Sequence, residues 1–149
     1  MTRLVLAAST ALLMAACGPA AAPPAPAIDA GNAFIMEPPG GRDLTMGGVD
    51  LSAIGGDFRL VGARSPVAGR IEIHTMAMED GTMRMRKVDE ILVPAGETVQ
   101  LERGGDHLMM FDLEGFAVGE KHMIQLEFVG PDGEDAIVEV AASVRALDQ

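Results

Sequence analysis

A chain of 149 residues is long enough for one domain with an ordinary core. Its formal net charge of −11 argues against a nucleic-acid partner, because phosphate binding needs clustered Lys and Arg. The 48% hydrophobic content is inflated by an Ala-rich leader and does not describe a membrane bundle; with five Phe and no Trp or Tyr, the core must rest on Val, Ile, Leu and Met. The acidity itself favours solubility and draws cations to the surface.

Residues 1–17 read MTRLVLAASTALLMAAC: Arg3, an apolar run, then small residues ahead of Cys17, the order of a secretory signal. The run is shorter than the ~20 apolar residues of a membrane-spanning helix. Its end, Met14-Ala15-Ala16-Cys17, resembles a bacterial lipobox, in which cleavage leaves the cysteine first in the chain and lipidated. The plain alternative is a signal peptide cut near Ala16. Residues 18–27, GPAAAPPAPA, form a Pro/Ala tract of the extended kind that spaces a domain from its anchor. The folded domain is then expected over 28–149, in the periplasm and held to the bacterial envelope only by its lipid. Cys17 is the only cysteine, so the domain has no disulfide, no Cys-x-x-Cys pair and no cysteine for a blue-copper electron-transfer site.

From Ile28 on, short apolar runs are cut every ~8–12 residues by Gly, Pro and Asp clusters, the spacing of a sandwich or barrel. Strands are predicted over Ala33–Met36, Val49–Ile54, Phe58–Ala63, Arg70–Met76, Met83–Lys87, Ile91–Val93, Thr98–Leu101, His107–Leu113, His122–Phe128 and Ala136–Ala142. Gly55-Gly56-Asp57 and Pro131-Asp132-Gly133 are expected to turn hairpins. Ile124-Gln125-Leu126-Glu127-Phe128 alternates apolar with polar, as a strand with one buried face does. No long segment keeps a helical period, so the domain reads as all-β.

One stretch carries a ligand pattern. His74, ten residues, Met85, twenty-one residues, His107, one residue, Met109: from the chain's own composition, this spacing arises by chance on the order of a few times in ten thousand. Asp80-Gly81 signals a type I′ hairpin, which would pair Glu79 with Thr82, Met78 with Met83 and Met76 with Met85. His74 then lies diagonal to Met85 on one face, ~7–8 Å away between backbones. His107 and Met109, two apart on a strand, share a face, while Leu108 and Met110 turn to the core. Thioether sulfur is soft and uncharged and selects Cu(I), and imidazole suits copper too. Such a Met₂His₂ set needs no thiol, which would oxidise outside the cytoplasm, and its weakly basic ligands exchange readily. Because the imidazoles bind only when unprotonated, affinity should fall as pH drops below the ~6.5 of an ordinary histidine. Met76, Met78 and Met83 stand between auxiliary sulfurs and a greasy docking rim, whereas His122 and Met123, outside the pattern, read as structural.

No enzymatic constellation stands out. Ser52, Ser65 and Ser143 lie in no nucleophile motif, and Gly47-Gly48 and Gly104-Gly105 read as turn glycines with no phosphate-cradling Lys after them.

The spacing H-x10-M-x21-H-x-M, with its MEDGTMRMR and VPAGETVQLERGGDHLMM surroundings, resembles the PCuAC family of periplasmic copper chaperones, from about Ile28 to Val144. The resemblance implies a cupredoxin-like, immunoglobulin-like Greek-key β-sandwich holding one Cu(I) on His74, Met85, His107 and Met109. It also implies delivery toward the copper-A centre of cytochrome c oxidase, the receiver being its subunit II or a Sco-type thiol protein. The family's aromatic-containing early strand is replaced here by MGGVDLSAIGGDFRLVGA, which has no Tyr and contains Asp50. A buffer against excess copper and a structural envelope module are the competing readings.

Overall fold

The computed structural model describes residues 24–115 and 117–147. In it the short apolar runs become ten strands: β1 (Ala27–Met36), β2 (Leu44–Ile54), β3 (Phe58–Arg64), β4 (Ala68–Glu79), β5 (Thr82–Lys87), β6 (Ile91–Val93), β7 (Thr98–Leu101), β8 (His107–Leu113), β9 (Lys121–Val129) and β10 (Asp135–Arg145). Among the described residues the only helical element is a 3-10 turn at Pro39–Gly41, and no helix is long and apolar enough to cross a membrane. The leader, Cys17 and residues 18–23 lie outside the described residues.

Hydrogen bonds join the strands in the order β5-β4-β8-β2-β1-β10-β9-β3-β6, with β7 also on β2. β1 and β10 run parallel and their neighbours antiparallel. The sheet folds over on itself as a cupredoxin-like sandwich. Its inward faces meet in Ile35, Leu51, Leu60, Leu108, Met110, Leu126 and Phe128, each at most 1% exposed. The alternation read in β9 holds: Ile124, Leu126 and Phe128 are buried, with Gln125 and Glu127 on the other face. β9 and β10 form the expected hairpin, closed where the Gly130 N–H donates to the Glu134 carbonyl at 2.8 Å.

Two expectations fail. Gly55-Gly56-Asp57 does not close a hairpin, because β3 pairs with β9 and β6 instead of β2. Both edges of the end of β2 are already occupied, Ile54 facing Ala27 of β1 and Ser52 facing Thr98 of β7. The chain must therefore leave that layer, and Gly55 at φ +73° turns it out while the Asp57 carboxylate accepts the Ala95 N–H at 2.8 Å.

Gly47-Gly48 is not a turn either but the middle of β2. A Cβ on Gly48 would stand 2.2 Å from the Leu101 carbonyl oxygen and 2.5 Å from the Phe34 ring, so packing, and not a turn, requires glycine there. Gly48→Ala is expected to cost about 1–3 kcal/mol of stability, as overpacking does, and urea denaturation would measure it.

Candidate metal centre

The β4–β5 hairpin sets the first part of the site. Asp80 at φ +49° and Gly81 at φ +78° make the turn, and the register follows as expected: Glu79 with Thr82, Met78 with Met83, Met76 with Met85. His74 faces Lys87 and so lies diagonal to Met85. Glu79 ties the hairpin to itself by accepting from both Arg86 Nη2 (2.7 Å) and Arg86 Nε. That bond is the main reason its carboxyl titrates below the usual range.

The other edge of β4 lies on β8, where His74 stands directly opposite His107 and Glu72 opposite Met109. On the far side of β8, Met109 faces Met46 of β2. Period-2 alternation decides which residues face out: Ile73, Leu108 and Met110 go to the core, leaving His74, His107 and Met109 on the outer face. That face carries a row of paired histidines, with Met46 and Met109 to one side and Met76 and Met85 to the other.

β7 and β8 are almost one strand, for both run along the same edge of β2, β7 against 49–52 and β8 against 44–47. Residues 102–106 loop out between them, closed where the Glu102 N–H donates to the Asp106 carbonyl at 2.7 Å. The loop sets Arg103 and Gly104 into the wall of a cavity of about 370 Å³. Met36, Met46, Met76, Met85, Met109 and His107 line that cavity, with Pro39, Leu44 and Leu147 around them.

The two imidazoles are set for the same task by different groups. Their centroids are 5.9 Å apart. His107, 3% exposed, places Nδ1 at 2.9 Å from the Gly105 carbonyl oxygen. A carbonyl only accepts, so Nδ1 carries the proton and the neutral ring keeps its lone pair on Nε2. His74 places Nε2 at 2.9 Å from Glu72 Oε2, which by the same reasoning leaves the lone pair on Nδ1. That Nδ1 is buried and has no hydrogen-bond partner. A buried nitrogen without a partner is costly, and a soft metal ion is one partner that would suit it. Glu72 is held in turn by Arg70 Nη1 (2.9 Å) and Lys87 Nζ (3.5 Å); the His74 bond first, then these two cations, keep its carboxyl below the usual range.

Among the described residues no three His, Cys, Asp or Glu side chains converge as a metal site, whereas the cavity does offer thioether sulfurs beside His107. Of the residues singled out from spacing, His74 and His107 are brought opposite each other on paired strands with their rings tilted by 53°, and Met85 and Met109 share the cavity with His107. Met76 lines it too, while Met78 and Met83 pair near the hairpin tip, 65% and 47% exposed and outside it. His122 lies 3.3 Å from Glu120, and Met123 borders a different groove. Sequence reading missed Met36, Met46, Glu72 and the Gly105 carbonyl. Of these only Glu72 left a local signal, a carboxylate two residues from His74 and therefore on its face.

An all-β sandwich of this kind is the fold of the PCuAC domains among solved structures. The copper(I)-loaded DR1885 structure from Deinococcus radiodurans is 30% identical to this chain, with a TM-score of 0.60 over 78% of this chain and 76% of that one. Apo-DR1885 is 27% identical at a TM-score of 0.57, covering 98% and 97%. A copper-bound PCuAC domain from PmoF2, at 20% identity and a TM-score of 0.61 over 80% and 92%, shares the fold. The family model described as "Putative lipoprotein LpqE-like" matches residues 28–142, and the chain belongs to that family. "Putative lipoprotein Lxx21020" of Leifsonia xyli subsp. xyli (strain CTCB07) is 30% identical over 103 residues. That match takes in 67% of this chain and spans 61% of the curated relative's length.

Proposed function

We propose that this domain carries one Cu(I) as cargo on His74, Met85, His107 and Met109, without catalysing a reaction, and passes it on outside the cytoplasm. The observation that carries the reading is the pair of opposed imidazoles, each with one nitrogen donating to a protein oxygen and the other left with its lone pair, one of which, His107, lines a cavity with five thioethers. Membership of a lipoprotein family supports anchoring of the chain to the envelope through Cys17. The receiver we propose is the copper-A centre of cytochrome c oxidase, reached directly through subunit II or by way of a Sco-type protein. Titration against a Cu(I) chelator tests the cargo: one equivalent should bind at this site, and a domain that retains no copper in equilibrium dialysis would be a structural module only.

The surplus of methionines around the cavity gives the buffering reading a foothold of its own. Deleting the protein separates the two readings. Loss of oxidase activity in low copper supports delivery, whereas sensitivity confined to excess copper supports buffering.

Glu72 supplies a third prediction. Its carboxylate fixes the His74 ring, and loss of such an orienting partner typically costs 10–100-fold in metal affinity. Glu72→Ala is expected to weaken Cu(I) binding by about that factor. Glu72→Gln, whose amide oxygen still accepts from Nε2, should lose less in the same chelator competition.

A further inference from the structure

The chain does not spread its methionines as core filler. Met1 and Met14 fall in the leader. Of the nine that remain, only Met110 belongs to the packed core cluster, whereas Met36, Met46, Met76, Met85 and Met109 all line the one cavity. A methionine kept only for packing would sit wholly among Leu and Ile; Met46, Met76, Met85 and Met109 are more open than that, and Met36, though 6% exposed, still borders the cavity. The proposed Cu(I) site uses two of the five.

The remaining sulfurs are not equivalent. Met76 lies across from Met85 on the hairpin side. Met46 lies across from Met109, and Ile35 pairs with Gly47, so Met36 and Met46 are the next residues along β1 and β2. The backbones at that point are tied by Thr45, whose hydroxyl donates to the Met36 carbonyl at 2.7 Å. Met36, Met46 and Met109 thus come from three adjacent strands, and neighbouring strands stand only ~4.8 Å apart. Met36 is 6% exposed, against 49% for Met85, so this end of the cavity is its sheltered end.

We propose that Met36 and Met46 form a second soft-cation subsite, next to the His74–His107 site and sharing Met109 with it. The proposal rests on the Cu(I)-carrier reading. Three neutral thioethers in an apolar cavity wall would hold a monovalent soft ion such as Cu(I) or Ag(I) and offer little to Zn(II), Mg(II) or Ca(II). Two positions joined by a common ligand let the cavity take a second ion when copper is abundant.

Methyl-labelled methionine resolves the sites one by one. In a titration of the protein with Ag(I), followed by ¹H–¹³C correlation of the methionine methyls, the first equivalent should move Met85 and Met109 and the second should move Met36 and Met46. Met36→Leu/Met46→Leu should then lose the second equivalent and keep the first, with its core resonances unchanged. The subsite is overturned if the Met36 and Met46 methyls stay put at two equivalents while Met85 and Met109 shift, or if all four shift together with the first. If neither Met85 nor Met109 responds to any amount of Ag(I), it is the carrier reading itself that fails.

Discussion

On the proposed ligand assignment, His107→Ala is expected to lower Cu(I) affinity by more than the ~10–100-fold that loss of an orienting partner costs, because it would remove a donor and not merely its support. The side chain is 3% exposed, stands opposite His74 and lines the cavity that holds Met85 and Met109. Its removal leaves the Gly105 carbonyl without its donor and takes away the ring opposite His74. Met109→Ala should come next. Met85, on an exposed edge strand and itself 49% exposed, should matter less to affinity. Competition against a Cu(I) chelator, with circular dichroism to confirm folding, measures all three. Parent-like binding by His107→Ala would refute the ligand assignment.

The largest stability effect is expected in β9. Leu126 is fully buried, and its neighbours across the hydrogen bonds are Val138 of β10 and Ala63 of β3. Truncation there loses transfer energy and leaves a cavity bordered on both sides by paired strands that cannot collapse inward. Leu126→Ala is expected to cost about 2–5 kcal/mol, read from the urea midpoint at constant slope. Leu126 is in the core and not on the face that carries the proposed Cu(I) ligands, so Cu(I) affinity of the folded fraction should stay near that of the parent. A cost well below 1 kcal/mol would mean that the two layers are not closely packed at this point.

How legible these features were depended on how local their causes are. The β4–β5 hairpin could be read to the residue, because Asp80 and Gly81 adopt the positive φ that only a few residue types accept and the turn then fixes every pair behind it. The histidine and methionine spacing was readable for the same reason, with parity deciding faces along β4, β5 and β8. The start of β1 was not: Ala27 to Asn32 lacks β-branched residues apart from Ile28, and the strand carries a register shift between Gly31 and Phe34, with Asn32 at φ +51°. β2 was read five residues short because Gly47-Gly48 looks like punctuation, while its real cause is the nearness of Phe34 and Leu101. The place of Met46 beside Met109 depends on a strand pairing 63 positions apart in sequence, which no local rule supplies. Asp50, where the family resemblance departs, is tied to Asn32 (2.7 Å) and Gln100 (3.2 Å), so the substitution there comes with its own polar partners.

The loop at residues 102–106 gives the two histidines different kinds of heredity. The group that orients His74 is a side chain, so one base change can weaken it and an alanine scan would find it. The group that orients His107 is the backbone oxygen of Gly105, which every amino acid possesses. No single substitution deletes it; only a change in the length or path of the loop can. A mutational survey of this surface would therefore record Glu72 as important and remain blind to its counterpart. In this domain one half of the site can be tuned by point mutation, and the other half by insertions and deletions.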